Sequence, residues 1–372
     1  MKSAALEHLV CLNCLSDLQL DSKQTFDNDH PNEIYEGILR CTSCSREYKI
    51  VRGVPRFVDE NESSPTDIRT GASFAEAWKR FPMMDERYRK QFFDWVFPVD
   101  ANFLKGKVVL ECGCGKGRHA KLLQEAGVKA IYAVDIGEAI DIAYQNVGFQ
   151  PGVHLVQADI ERLPFRRDFD FAFSVGVLHH MESPLSGFQS MSSKVKPTGS
   201  IVAWVYGREN NWWLIAIVNP IRELITSKMP SSLLLSLSAV IALPLVLYCK
   251  LVARPWMNFR KRHNWVPPLY YGEYLSYIAQ FGFTELHHIV FDHLIAPVAY
   301  YVPRAYFASW FKEAGWTDSV IRWHNRNSWS GFSSADLQEL EYMRKRVKEA
   351  ADSSLGAVTA RSEDRSGLDL EP

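Results

Sequence analysis

The sequence lacks a charge excess of either sign: 42 Lys and Arg stand against 43 Asp and Glu, for a formal net charge of -1. No global field therefore argues for a polyanionic partner, and nucleic acid is not the expected one. The opening MKSAALEHLV has no basic start, long apolar run and small-residue cleavage site of the secretory kind, which predicts a reducing, cytoplasmic setting. In that setting the seven cysteines are read as thiols and metal ligands and not as a disulfide framework. The dinucleotide fingerprint G-x-G-x-x-G is absent from the main glycine turn, and charge is absent altogether from Ser231 to Cys249.

What is present centres on VVLECGCGKGRHA, Val108 to Ala120. An apolar run ending in an acid, then Gly113, Gly115 and Gly117, then helix-forming residues, is the pattern of a strand, a tight turn and a helix start. Glycines there let the backbone turn sharply and lie against a ligand. Glu111 would repel a pyrophosphate and welcome a cationic amino group. The turn, E-x-G-x-G-x-G, resembles motif I of the class I S-adenosylmethionine-dependent methyltransferases, and S-adenosylmethionine carries such a group and no phosphate.

Beyond the turn, apolar strands alternate with amphipathic helices, which predicts a doubly wound parallel α/β sheet. AIYAVD ends in Asp135, where a carboxylate can accept ribose hydroxyls, with Ile136 beside it. VHLVQADI ends in Asp159 and Ile160; the pair resembles the family motif in which an acid takes the adenine amino group and an apolar neighbour packs on the ring. The series continues through L-P-F, F-D, G-V-L-H-H and K-P-x-G. Taken together, the resemblance implies a Rossmann-like seven-stranded methyltransferase sheet in which Glu111, Gly113, Gly115, Gly117, Asp135, Ile136, Asp159 and Ile160 bind the donor. The G-V-L-H-H and L-P-F blocks are similar to those of quinone and secondary-metabolite methyltransferases, which implies a small-molecule, lipid-like or glycan acceptor. His179, after the fourth strand, is a candidate catalytic group.

Upstream, Cys11, Cys14, Cys41 and Cys44 form two C-x-x-C knuckles, a soft tetrahedral set suited to structural Zn(2+). The stretch resembles the small zinc-ribbon family that partners tRNA, rRNA and protein methyltransferases, here fused in cis. The domain reading is a zinc ribbon over 1-58, a polar linker over 59-71 and a methyltransferase core with N-terminal helices over 72-207. A helical insertion follows over 208-300, then the end of the core over 301-350 and a disordered tail over 351-372.

The insertion is read as a lid, a homodimer helix or a peripheral membrane contact, because its uncharged run meets the length criterion for a span while the strands on both sides must join one sheet. Asp292 and Tyr271 are further candidates for handling a proton in an acceptor pocket. Two other readings stay open: an RNA methyltransferase of the rRNA guanine type, since a ribbon ahead of this fold occurs in such a family, and a non-catalytic cofactor-binding scaffold.

Overall fold

The computed structural model describes residues 1–21, 24–27, 30, 33–263 and 265–363, with side chains as far as 352. The N-terminal unit is a five-stranded antiparallel sheet: β1 (Leu18–Leu20), β2 (Thr25–Phe26), β3 (Ile34–Cys41), β4 (Glu47–Val51) and β5 (Val54–Pro55). Its apolar side chains Leu9, Leu18, Leu39, Tyr48 and Phe57 share one cluster with Leu110, Tyr132, Val156 and Phe169 of the main sheet. The ribbon is thus sealed onto the sheet by a common core.

Next come α1 (Pro65–Arg80), α2 (Arg87–Trp95) and α3 (Ala101–Leu104). The alternating half of the sheet follows: β6 (Val108–Cys112), α4 (Arg118–Glu125), β7 (Ala130–Asp135), α5 (Ala139–Val147), β8 (Val153–Gln157), β9 (Phe169–Val175), α6 (Pro184–Ser193) and β10 (Val195–Tyr206). The insertion contributes α7 (Asn219–Leu224), α8 (Ser231–Tyr248), α9 (Arg254–Arg262), α10 (Gly272–Ile278) and α11 (Phe283–Ile295). The chain then returns through α12 (Arg304–Glu313), β11 (Val320–His324) and β12 (Ser328–Ser334) and ends in α13 (Leu337–Glu363).

The seven strands run in the order β11-β12-β10-β9-β6-β7-β8. β6 to β10 pair in parallel, while β12 enters antiparallel between β10 and β11. Parallel strands must be covered on both faces, and here they are. Phe188 of α6 and Trp310 of α12 lie with the ribbon on one face; Leu123 of α4, Ile140 of α5 and Phe92 of α2 cover the other. The seven-stranded doubly wound sheet is the expected one. Because the order reverses between β6 and β9, the carboxyl ends of those strands flank a crevice, where such sheets take their ligands.

Two expected boundaries move. The stretch read as a linker over 59-71 is helical from Pro65, because Ser64 caps the helix by accepting from the Thr66 and Asp67 amides at 3.1 and 3.4 Å and Pro65 is pre-set for a first turn. Its small residues conceal the apolar period: Gly71 packs so closely on Gly137 and Ile136 that a Cβ would meet Ile136 at 2.6 Å. At the other end α13 runs on to Glu363, past the start of the expected disordered tail. Ala, Leu and Arg in that stretch are good helix formers. The rest of that expectation, 364–372, lies outside the described residues.

Ser64→Ala is expected to cost about 1 kcal/mol of unfolding free energy, read as a lower urea midpoint at unchanged m.

Candidate donor and acceptor site

The glycine turn leaves β6 with the amides of Gly113 and Cys114 both donating to the Val134 carbonyl at 2.8 Å. Gly113 and Gly115 stand at φ +83° and +53°, and a Cβ on them would lie 2.2 Å from Val177 and 2.9 Å from the Trp78 indole. Only glycine fits both the conformation and the space. Asp135, at the tip of β7, accepts from the Gly115 and Gly137 amides, each at 2.9 Å, so its carboxylate ties the turn to the next strand. Burial pushes its pKa up while these two amides pull it down.

A cavity of about 290 Å³ opens over this turn. Gly113, Gly115, Asp135, Ile136, Asp159 and Ile160 all line it, so six of the expected donor residues meet at one surface. Gly117 is not in the lining; at φ +82° it caps the start of α4. Asp159 caps a short turn by accepting from the Glu161 amide at 2.9 Å. Two residues that sequence reasoning missed join them from α1. Asp67 accepts from the Glu182 amide at 2.8 Å through one oxygen, while its other oxygen and the Thr70 hydroxyl are buried with no partner among the described residues. Both line the cavity, and burial lifts Asp67 to about 6. Polar atoms buried in this way await a ligand's donors. The misplaced linker hid them.

Glu111 does not line the cavity as its expected role requires. It is 1 % exposed and sits beneath the turn, its Oε1 2.9 Å from His119 Nδ1. Arg118 Nε donates to His119 Nε2 at 3.3 Å, which leaves the imidazole proton on Nδ1 to donate to Glu111. Burial lifts the Glu111 pKa to about 8 and the Arg118 charge works against that rise. Glu111 is therefore a positioning residue in an Arg118–His119–Glu111 chain, because strand alternation turns its side chain toward α4. Lys116 is likewise occupied: it caps the end of α1 by donating to the Phe81 and Met83 carbonyls at 2.8 and 2.6 Å.

The far half of the cavity is roofed by the insertion. Tyr271, Tyr274, Tyr277, Phe281, His288 and Asp292 face Trp204 and Tyr206 of β10 across it. Asp292 pairs with His288 Nε2 at 3.1 Å, and its Oδ1 is buried with no hydrogen-bond partner among the described residues; the Tyr271 hydroxyl is buried beside the Trp213 indole. Burial opposes protonation of His288, but the Asp292 and Glu285 carboxylates beside it hold its pKa above the ordinary value.

Of the two histidines after β9, His180 lines the cavity and His179 does not. His179 is wholly buried against Tyr206, ring centroids 4.0 Å apart, with both nitrogens unpartnered. His180 Nδ1 donates to the Val298 carbonyl at 2.6 Å, and burial lowers its pKa to about 4. It is neutral at physiological pH, with Nε2 as its lone-pair nitrogen. The tight turn after β9 decides which ring faces the cavity, and no sequence pattern distinguishes the two.

In the ribbon, the four Sγ atoms of Cys11, Cys14, Cys41 and Cys44 lie within 4.8 Å of one another. Two pairs approach to 3.6 and 3.4 Å, close to the roughly 3.8 Å edge of a tetrahedron with Zn–S bonds of about 2.3 Å.

Residues 110–203 match a methyltransferase domain family. Among curated proteins, a tRNA U34 carboxymethyltransferase of Idiomarina loihiensis is 33 % identical over 105 residues, covering 27 % of this chain and 32 % of its own. One from Shewanella baltica is 30 % identical over 135 residues, covering 31 % and 41 %. The chain thus spans about a third of the length of the first relatives it matches. Among solved structures, magnesium protoporphyrin IX methyltransferase from Synechocystis PCC 6803 aligns with a TM-score of 0.38 at 12 % identity, covering 70 % of this chain and 89 % of that one.

These relatives correct two expectations. The small-molecule, lipid-like or glycan acceptor, and the expectation that nucleic acid is no partner, give way to curated relatives named for tRNA. The motifs behind the small-molecule reading lie within β6 to β10 and do not cover the insertion, whose residues line the far half of the cavity. Net charge misled because it is a sum over the whole chain.

Gly115→Val and Asp135→Ala are each expected to weaken S-adenosylmethionine binding by about tenfold or more, measured by calorimetry; unchanged affinity in both would remove the turn from the donor site. The glycine turn and the strand-tip acids Asp135 and Asp159 thus lie inside the segment, 110–203, that matches a methyltransferase domain family, in a sheet of the seven-stranded Rossmann-like kind.

Proposed function

We propose that the chain transfers a methyl group from S-adenosylmethionine to a base of RNA, the base seated in the aromatic half of the cavity. The observation that carries this reading is the continuity of one cavity from the glycine turn to a chamber walled by Trp204, Tyr206, Tyr271, Tyr274 and Tyr277. Aromatic walls stack a base taken out of its strand, and the relatives named for tRNA U34 support a base as the acceptor.

S-adenosylmethionine supplies an electrophilic methyl group when bound. On this reading Asp135, Asp159 and Asp67 hold the nucleoside end, with Ile136 and Ile160 against the ring. Most of the acceleration asked of the protein is orientation of the acceptor atom on the methyl axis. Asp292 Oδ1, the Tyr271 hydroxyl and His180 Nε2 are the groups offered to the acceptor's N–H or O–H. The ribbon is proposed to hold one structural zinc through Cys11, Cys14, Cys41 and Cys44, a closed set with no position left for substrate.

Tritiated donor incubated with total tRNA and rRNA is expected to label an RNA fraction, and Tyr271→Phe with Asp292→Asn to reduce that labelling about tenfold or more with donor affinity intact. Absence of RNA label from protein that binds donor would overturn the acceptor assignment. Separately, Cys14→Ser is expected to abolish stoichiometric zinc by elemental analysis and to lower Tm by roughly 4 °C or more.

A further inference from the structure

The insertion has two sides, and the cavity uses only one. α8 and α9 are joined through a π-helical turn, Cys249–Ala253, into one helix from Ser231 to Arg262, and buried Leu234, Ser238, Ala242, Val246, Cys249, Ala253 and Met257 recur along one stripe of it. Near Leu234, Ala242 and Val246 this stripe packs with Leu286, Phe291 and Leu294 of α11. Among the described residues this is the one helix long and apolar enough to cross a membrane, yet only 28 % of its most apolar window is buried. The remainder is open: Val240 and Leu251 are each 71 % exposed, and Leu243, Leu247 and Val252 are exposed with them. Trp212, Ile221, Leu224 and Ile225, before α8, are exposed as well. A monomeric surface seldom carries so many large apolar side chains in one region.

Charge identifies the occupant. From Leu224 to Gly272 the sequence holds Lys228, Lys250, Arg254, Arg260, Lys261 and Arg262 and no Asp or Glu, in a chain whose total is -1. Exposed Trp256, Trp265 (75 %), Tyr248 and Tyr270 are interleaved with them. Aliphatic side chains, flanking aromatics and cations without acids are the composition of a helix lying in the interface of an anionic bilayer.

A second copy of the chain fits less well, because a two-fold contact presents the same patch twice and would face these cations with cations. RNA phosphates would satisfy the cations but leave Val240, Leu247 and Leu251 unsatisfied. A full crossing is excluded by topology, since β10 before the insertion and β12 after it are hydrogen-bonded neighbours.

We infer that the outer face of the Ser231–Arg262 helix seats the protein in the plane of an anionic phospholipid surface, with α10 and α11 between that surface and the cavity. Headgroup phosphates would meet Lys250, Arg254 and the 260–262 cluster, while Leu243, Leu247 and Leu251 enter the acyl boundary. This surface is separate from the donor and acceptor residues and does not depend on which acceptor the cavity takes.

The test is flotation of the full chain with phosphatidylcholine vesicles, with and without phosphatidylglycerol, alongside light scattering of the protein alone. Expected are binding to the anionic vesicles that weakens at high salt, and about a tenfold lower partition coefficient for Lys250→Glu/Arg254→Glu and for Leu247→Ser/Leu251→Ser. Both variants are checked for folding by donor binding in calorimetry. The proposal would be overturned by no flotation with anionic vesicles, by a dimer in solution that Leu247→Ser/Leu251→Ser dissolves, which would assign the face to a second copy, or by equal binding of the charge-reversed variant. Displacement of the protein from vesicles by tRNA at matched salt would also overturn it, assigning the cations to RNA.

Discussion

The carboxylate of Asp135 is the constraint on which the donor side depends. By accepting one amide from each of two turns, Gly115 after β6 and Gly137 after β7, it fixes two loops of separate βα units at one spacing. Both carboxylate oxygens are so used, one for each turn. The neighbouring contacts follow from that spacing. α1 approaches because Gly71 presents no side chain to Gly137, and its Trp78 then covers Gly115. Val177 fills the space that a side chain on Gly113 would need. A surface so tightly assembled from backbone leaves the turn open only toward the cavity.

The insertion answers a different demand. The sheet alone would leave the carboxyl ends of β6, β9 and β10 facing water, and α10 and α11 close that side with tyrosines and the His288–Asp292 pair. α11 is held in turn by α8, and through Phe81 by α1. The cavity roof is thus braced by the Ser231–Arg262 helix, whose outer apolar face is exposed.

Much of this was legible in the sequence, and what was not has identifiable physical causes. Strand–helix alternation and the register of Asp135 and Asp159 behind the glycine turn follow from period and side-chain chemistry, so the sheet was readable. The start of α1 was not, because close backbone contact at Gly71 removes the apolar residues that a period needs; Asp67 and Thr70 were lost with it. Glu111 was placed on the wrong side because a strand tip does not reveal its facing until the partner His119 is known. His179 and His180 are identical in type and adjacent, and only the turn after β9 separates their environments. The far wall of the cavity was beyond reach for a broader reason: it comes largely from the insertion, whose residues converge with β10 only in three dimensions.

The ribbon is tied to the sheet both by packing and by hydrogen bonds. Cys11 and Cys41 belong to the same apolar cluster as Leu110 and Val134 of the sheet. A short polar route also joins the ribbon to the cavity wall: the Phe57 amide donates to the Gln157 carbonyl at 2.8 Å, Arg56 donates to Gln157 Oε1 at 3.2 Å, and Gln157 Nε2 donates to the Ile136 carbonyl at 3.0 Å. Arg56 also pairs with Asp141 at the start of α5. Contiguity of this kind carries coupling only when one of its elements has two arrangements. The ribbon supplies such an element if its fold depends on the metal, since small closed thiolate sites are ordered by metal binding. With its strands ordered, Arg56 and Phe57 hold β8 and the Ile136 carbonyl in register; without them, the β7–α5 loop beside Asp135 loses its outer support.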